Sequence, residues 1–199
     1  MKGSPDRSVS IADLAGAGTI HGKGSGVVPE RATGDTGGCV GRLGNETFLA
    51  PQLITQAAHV KVDRATGVVR VLKVAAAHDS GVILNRPGAD GQVTGGVVMG
   101  IGLALTEGTQ IDGEGRQLNP ALLDYKLVTA ADAPEIEVDW IQIPAKGAGP
   151  RGSKGVGEPP LVPTAGAIAN AITKVLGTQV RRMPMTPERV WAAAREARA

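Results

Sequence analysis

Large side chains are scarce in this sequence, and that scarcity limits how a core can be built. The 199 residues include 29 glycines but just four aromatic residues, Phe48, Tyr125, Trp140 and Trp191. A core must therefore be assembled from Val, Leu, Ile and Ala, with backbones packed closely on one another or on a ligand, because glycine places no side chain between them. The same composition suits a piece of protein that completes its core against a partner.

Charge and cysteine content narrow the class of protein further. The formal net charge of +2 gives no basic footprint for nucleic acid, and no apolar run reaches the roughly 18 residues that a membrane helix needs. The single cysteine, Cys39, excludes an internal disulfide and a four-cysteine iron–sulfur or zinc site within this sequence. We expect a soluble, cytoplasmic protein that has no side-chain metal site and binds neither nucleic acid nor a membrane.

The hydrophobic pattern predicts strands and helices without a regular βαβ rhythm, which favours the α+β class. Two apolar stretches, residues 59–62 and 68–77, flank a turn at 63–67 and predict an antiparallel hairpin closed by a glycine. Residues 135–140 alternate apolar and acidic side chains, as a half-buried strand does. The acidic face of that strand is expected to be solvated.

Helix signals concentrate near the carboxyl end of the sequence. Pro163 can begin a helix whose apolar face ends at a stop provided by Gly177. A last helix is predicted after Thr186, which is followed by a proline suited to the first helical position.

The first 45 residues are the least self-sufficient part of the chain. A short helix is predicted after the cap residue Ser10, with Ile11 and Leu14 facing inward. From residue 16 onward, glycine, threonine, serine and charged residues dominate. We interpret residues 1–45 as a loop-rich segment, either ordered by a partner or simply a flexible terminus, and residues 46–199 as the main domain.

Residues 91–107, GQVTGGVVMGIGLALTE, place Gln92, Gly96 and Gly100 at intervals of four. On a helix this spacing forms a bare stripe. Each glycine costs about 1 kcal/mol of helix stability relative to alanine, so such a stripe needs a compensating contact. Either a second helix packed tightly against the stripe or a cofactor close to the backbone would supply this contact. The spacing favours packing against a second helix.

The strongest candidate for chemistry is the loop at residues 146–160, KGAGPRGSKGVGEPP. Its glycines expose backbone N–H groups, but the order Ser153-Lys154 is the reverse of a phosphate-binding loop. There remains one carboxylate, Glu158, held between Gly157 and two prolines. A carboxylate with stiff flanks can serve as a general base. The alternatives are that Glu158 caps the following helix or pairs with Lys154.

Five stretches of the sequence then match a known family in order and spacing. They are VKVDRATGVVRVLKVAAAHDSG (60–81), GQVTGGVVMGIGLALTE (91–107), LNPALLDYKL (118–127), GSKGVGEPPLVPTAGAIANAI (152–172) and PMTPERVW (184–191). Over these residues the sequence resembles the C-terminal part of the molybdopterin-binding subunit of the xanthine dehydrogenase/aldehyde oxidase family. The K-G-V-G-E element is the most specific match. The resemblance implies that residues 46–199 are the C-terminal molybdopterin-binding domain of a molybdenum hydroxylase.

The resemblance also implies a site. Members of this family hold molybdenum through the dithiolene of a pterin cofactor, without side-chain ligands, and hydroxylate an N-heterocycle or an aldehyde with oxygen from water. Glu158 matches the glutamate that serves as the family's base. Gly157 would lie against the molybdenum centre, and Gln92, which follows Gly91 in the family's G-Q element, would hydrogen-bond the molybdopterin.

The family's molybdenum subunit is several times longer than this sequence, and its electron-transfer groups have no counterpart here. We therefore expect partner chains: the N-terminal portion of the molybdenum subunit, a [2Fe-2S] subunit and an FAD subunit, acting together on a small-molecule substrate. The alternative is a non-catalytic assembly or interaction protein, or a gene fragment, that keeps the fold without the cofactor. The presence of both Gln92 and Glu158 argues against that alternative.

Overall fold

The structure is a computed structural model that describes residues 8–16, 18–19, 21–24, 52–145 and 150–197, with the backbone of residues 42–43 and 46–47. Cys39, Phe48 and residues 146–149 of the candidate loop lie outside the described residues. The elements are α1 (Ile11–Ala15), β1 (Arg42–Leu43), β2 (Glu46–Thr47), β3 (Leu53–Val62), β4 (Val69–Asp79), α2 (Arg86–Leu105), β5 (Glu135–Trp140), two 3-10 turns (Pro150–Gly152 and Pro159–Leu161), α3 (Thr164–Leu176) and α4 (Pro187–Glu196). This mixture confirms the α+β class.

The predicted hairpin is confirmed, because β3 and β4 pair antiparallel along their whole length. Asp63 organises the turn: its carboxylate accepts a hydrogen bond from the Ala65 N–H at 2.8 Å, and its carbonyl accepts one from the Gly67 N–H at 2.7 Å. Gly67 has a φ of +78°, and a Cβ there would lie 1.9 Å from the carbonyl oxygen of Pro187. Both the backbone conformation and the space therefore require glycine at this turn.

The strand predicted at residues 135–140 is also confirmed. It is β5, and it pairs parallel with β4, giving a three-stranded sheet of order β3-β4-β5. The acidic side chains of β5 are exposed, as the alternation predicts. Two of them contact Lys73 of the neighbouring strand: its Nζ lies 3.2 Å from Glu135 and also pairs with Glu137.

One face of this sheet packs against the helices, and the core between them is almost entirely aliphatic. Among the described residues, Trp140 at the end of β5 is the one Phe, Tyr or Trp in it. Its indole N–H donates a hydrogen bond to Asp90 of α2 at 2.7 Å. The fully buried apolar side chains of this core include Val74, Val93, Val97, Ala104, Ile168, Ile172, Met185 and Val190.

The glycine stripe of α2 lies against α3 and the turn that precedes it. A Cβ at Gly96 would lie 2.7 Å from the Cβ of Pro160, and one at Gly100 would lie 2.4 Å from the Cβ of Thr164. Both glycines are buried. Tight packing is therefore the reason for these two glycines, and the cofactor alternative is wrong at both positions because protein already occupies the space.

The two C-terminal helices confirm the sequence signals to within a residue. Pro163 is the residue before α3 rather than its first, and Gly177 ends the helix with a φ of +79°. Thr186 precedes α4, whose first residue is Pro187. In the part of the chain that the structure describes, no helix has the length and apolar character required to cross a bilayer.

The short N-terminal helix is confirmed, but its predicted orientation is wrong. The Ser10 hydroxyl accepts a hydrogen bond from the Asp13 N–H at 2.9 Å, as a cap residue does. Ile11 and Leu14, however, are 82% and 66% exposed. Within the described residues nothing buries them, because an apolar pattern marks a face without specifying what covers it.

Candidate functional site

Glu158 lies in a bend immediately before the 3-10 turn Pro159–Leu161, and its side chain is exposed. Its backbone carbonyl accepts a hydrogen bond from the Leu161 N–H at 3.1 Å, but its carboxylate makes no capping hydrogen bond. The alternative in which Glu158 serves as a helix cap is therefore wrong.

The alternative in which Glu158 pairs with Lys154 is wrong as well. Lys154 Nζ instead lies 2.7 Å from Asp79 Oδ2, and the two side chains are 9% and 10% exposed. The other carboxylate oxygen of Asp79 accepts a hydrogen bond from the Gly81 N–H at 3.1 Å. The Lys154 N–H also donates to the carbonyl of Ser80 at 2.8 Å. These contacts fix Lys154 against the end of β4. Lys154 begins the segment of residues 154–160, which we call the Glu158 loop.

A second set of contacts fixes the end of the same loop. The side-chain amide of Gln56, in β3, donates to the carbonyl of Pro160 at 2.7 Å, and its oxygen accepts a hydrogen bond from the Thr164 hydroxyl at 2.7 Å. Gln56 thereby joins the turn after Glu158 to the sheet and to the first residue of α3. The Glu158 carboxylate is thus carried by a short segment that is anchored on both sides.

The structure brings Gln92 and Gly157 together. A Cβ placed on Gly157 would lie 3.8 Å from Gln92 Oε1, in ordinary van der Waals contact. Gln92 is exposed in the second turn of α2. Gly91, just before it, is also exposed, and no atom lies within 4 Å of the position that its Cβ would occupy. Two of the predicted cofactor residues therefore meet beside the Glu158 loop, and the third faces open space.

An open cavity of about 420 Å³ lies between the end of β4, the first turns of α2 and the anchored loop. Its lining includes Ser80, Asn85, Gln92, Lys154 and Val156. Asn85 caps α2, its side-chain oxygen accepting a hydrogen bond from the Gly88 N–H at 3.1 Å. Apolar side chains, among them Val82, Ile83, Leu84 and Ala89, also line the cavity, so it suits a ligand with an apolar body and a few polar groups.

His78 precedes Asp79 on β4 and is fully buried, with neither ring nitrogen hydrogen-bonded. Its ring centroid lies 5.7 Å from that of Trp140. Burial lowers the pKa of His78 below its ordinary value of 6.5, so the ring is held neutral. Among the described residues no cluster of His, Cys, Asp and Glu side chains could hold a metal ion.

Sequence reasoning missed Asp79 and Gln56. Asp79 is the last residue of β4 and lies on the opposite face from the buried Val74, Ala76 and His78, and a buried carboxylate needs a charged or hydrogen-bonding partner. The partner lies 75 residues away, too far for a local pattern to identify. Gln56 stands among apolar residues of β3, but a single amide in a strand is too common a feature to indicate a loop anchor.

Comparisons with known proteins show the family to which this chain is similar. The sequence model of one protein family, the molybdopterin cofactor-binding domain, matches residues 3–134 of this chain. The matched residues include Gly91 and Gln92. The putative xanthine dehydrogenase molybdenum-binding subunit of Escherichia coli is 43% identical over 131 residues, which are 65% of this chain and 17% of that protein. The nicotine 6-hydroxylase large subunit of Paenarthrobacter nicotinovorans is 37% identical over 139 residues, 68% of this chain and 17% of that protein.

Solved structures show the same fold. The aldehyde oxidoreductase of Desulfovibrio desulfuricans superposes with a TM-score of 0.69 and 34% identity, over 74% of this chain and 16% of that one. Quinoline 2-oxidoreductase of Pseudomonas putida gives a TM-score of 0.67 and 30% identity, over 71% of this chain and 18% of that one. The chain thus spans about a sixth of the length of such relatives, and it belongs to the molybdopterin cofactor-binding domain family.

Proposed function

We propose that this chain is the part of a molybdenum hydroxylase of the xanthine dehydrogenase/aldehyde oxidase type that supplies the catalytic glutamate, Glu158, and part of the molybdopterin site. The observation that carries the proposal is the meeting of two sequence-distant elements. Gly157, next to Glu158, lies beside Gln92, with 3.8 Å between the position of its Cβ and the glutamine oxygen. The proposed reaction is the hydroxylation of an N-heterocycle or an aldehyde with oxygen from water.

The residues at this place fit a pterin cofactor. Gln92 is exposed and offers both an amide donor and a carbonyl acceptor, which a pterin ring can pair with. Gly91 and Gly157 present no side chain, so a planar ligand can approach the backbone closely at both. When bound, the cofactor supplies the redox chemistry by accepting the electrons that the substrate loses. Gln92 would hold it, and the two glycines would leave it room.

Glu158 would act as the general base. Its carboxylate is not engaged as a helix cap, so its oxygen atoms are available to accept a proton. The two anchors of the loop, at Lys154 and Pro160, limit where that carboxylate can lie. Such fixation is what general-base catalysis requires, because proton transfer needs the two heavy atoms within hydrogen-bond distance.

Partner chains would complete the enzyme. The chain spans about a sixth of the relatives it matches, and large apolar side chains such as Leu122, Leu123 and Val162 are exposed on it. A partner would cover such groups. We assign residues 46–199 to the molybdopterin-binding domain and residues 1–45 to a segment ordered by a partner. The partners proposed are the N-terminal portion of the molybdenum subunit, a [2Fe-2S] subunit and an FAD subunit, in the cytoplasm.

The substrate class rests on the names of the relatives. Nicotine 6-hydroxylase and quinoline 2-oxidoreductase are named for N-heterocycles, and aldehyde oxidoreductase for aldehydes. We therefore propose these two classes as the compounds with which the assembled enzyme should first be assayed.

The test is the variant Glu158→Gln in the complex purified through a tag on this chain. Turnover of the accepted substrate should fall by about 100-fold or more, since a general base contributes 10²–10⁴-fold to rate. The molybdenum content should stay normal, because glutamine preserves the shape of the side chain. Glu196→Gln, an exposed position on α4, is the matched control. Unchanged turnover in Glu158→Gln would refute the catalytic role, and a complex without molybdenum or activity would favour the assembly protein.

A further inference from the structure

The ion pair between Asp79 and Lys154 differs from every other one in the described part of the chain. Its side chains are 9% and 10% exposed, with 2.7 Å between Lys154 Nζ and Asp79 Oδ2. In the remaining ion pairs of the described residues, each side chain is at least 21% exposed. Removing two charges from water is costly, and an apolar pair of similar volume is often as stable. The location of this pair therefore calls for a reason other than stability.

We infer that the Asp79–Lys154 ion pair is a positioning device that sets the place of the Glu158 carboxylate. The inference rests on the function proposed above. Lys154 is the first residue of the K-G-V-G-E element, so the ion pair anchors the start of the segment that ends in Glu158. Asp79 is the last residue of β4 and is part of a three-stranded sheet, which provides a rigid support for the loop.

Backbone contacts next to the Asp79–Lys154 ion pair hold the residues before Lys154 against the residues that follow β4. Gly81 and Ser153 form an isolated antiparallel bridge, and a Cβ at Gly81 would lie 2.2 Å from the carbonyl oxygen of Gly152. The loop thus lies directly against the residues that follow β4. Asp79 holds both sides of this contact, because its carboxylate accepts hydrogen bonds from the Gly81 N–H and from Lys154 Nζ.

The segment between the two anchors has little stiffness of its own. Gly155 and Gly157 both lie between Lys154 and Glu158, and glycine restricts the backbone less than any other residue. Gln56 fixes the far end at Pro160, so the position of Glu158 depends on both anchors together. If the ion pair is lost, the carboxylate gains freedom, and a misplacement of about 1 Å can cost about 100-fold in rate.

The test is the double variant Asp79→Asn/Lys154→Met in the tagged complex, compared with Glu158→Gln. This variant removes both buried charges together, so neither charge is left unpaired, and the asparagine oxygen can still accept the hydrogen bond from the Gly81 N–H. We expect normal assembly and molybdenum content, a 10- to 100-fold fall in kcat and a change in KM of less than about twofold. In the Glu158→Gln background the same double substitution should cause no further fall, since the pair acts through Glu158. Lys73→Met, in the exposed pairs of the sheet, is the control and should leave kcat unchanged.

Three outcomes would overturn the inference. A double variant with wild-type kcat would show that the pair does not position the base. A double variant that fails to assemble or loses molybdenum would show that the pair serves the fold. A further fall in the Glu158→Gln background would show that the pair acts elsewhere. The proposed function fails separately, if Glu158→Gln alone leaves turnover unchanged.

Discussion

Gly100 of α2 faces Thr164 of α3 with no space for a side chain between them, since a Cβ at Gly100 would lie 2.4 Å from the Thr164 Cβ and 2.7 Å from its hydroxyl oxygen. Thr164 has no freedom to move aside, because it is fully buried and its hydroxyl donates to Gln56. Gly95, on the same helix, has no atom within 4 Å of the corresponding position. Gly100 therefore lies in a tight contact between two helices, whereas Gly95 of the same helix faces open space.

Gly100→Ala should destabilise the fold by about 1–3 kcal/mol, because the added methyl group overpacks the contact between α2 and α3. Gly95→Ala adds the same methyl group in open space and should stabilise the helix by up to about 1 kcal/mol. The measurement is the thermal melting temperature of the purified complex carrying each variant. A similar change of the same sign in both variants would contradict the packing explanation.

Gln56→Glu should loosen the end of the Glu158 loop. The substitution removes the N–H that donates to the Pro160 carbonyl and leaves two oxygen atoms facing each other. The Thr164 hydroxyl also lies 3.2 Å from that carbonyl, so the cost is that of one lost hydrogen bond, about 0.5–1.5 kcal/mol. Amide exchange at Leu161 and Val162 should therefore become faster. Hydrogen–deuterium exchange measures this directly, with Gln179→Glu, an exposed position, as the control. Exchange as slow as in the wild type would show that Gln56 is not an anchor.

His78 should make the fold sensitive to mild acid. Burial lowers its pKa in the folded state below the ordinary value of 6.5, so below that pH the unfolded chain binds a proton that the folded chain resists. Stability from the neutral ring is fully present above pH 6.5 and is lost as the pH falls below it. His78→Phe, which cannot be protonated, should flatten this dependence between pH 7 and 5.5.

The measurement for His78 is the protection factor of β4 amides, corrected for the intrinsic effect of pH on exchange. His59→Gln, at an exposed position of β3, keeps the buried ring and should retain the wild-type dependence. Equal pH dependence in wild type and His78→Phe would show that another group controls stability in this range.

The chain expressed alone should be marginally stable or should aggregate. Ile143, Leu118, Leu122 and Leu123 all expose most of their side chains, and such surface is normally covered by a partner. Calorimetry of the isolated chain should show a broad transition or precipitation, whereas the complex should melt at a higher temperature. A sharp, cooperative transition for the chain alone would contradict this expectation.

Elements that rest on local signals were predictable from the sequence. The turn at Asp63 and Gly67 is built from contacts within a few residues, and Gly177 ends α3 through its own backbone conformation. The alternation in β5 likewise reports which face of the strand is covered. In each case the residues that determine the structure are neighbours in the chain.

The candidate site could be predicted only in part, because its contacts join distant residues. Glu158 stood out through its rigid flanks, but its anchors are Asp79, 75 residues from Lys154, and Gln56, 104 residues from Pro160. The prediction that Ile11 faces inward is wrong, since this side chain is exposed. An apolar pattern on a short helix indicates a face to be covered without showing what covers it.

The separation of these anchors has a consequence for the order in which the molecule forms. The β3–β4 hairpin closes across a short turn, whereas the two contacts that hold the Glu158 loop must close loops of 75 and 104 residues. Closing a longer loop costs more chain entropy, and non-local contacts form more slowly. The β3–β4 hairpin should therefore form before the carboxylate is in place. A folding chain would pass through a stage in which the hairpin exists but the site does not, and during that stage the cofactor would have no complete site to bind.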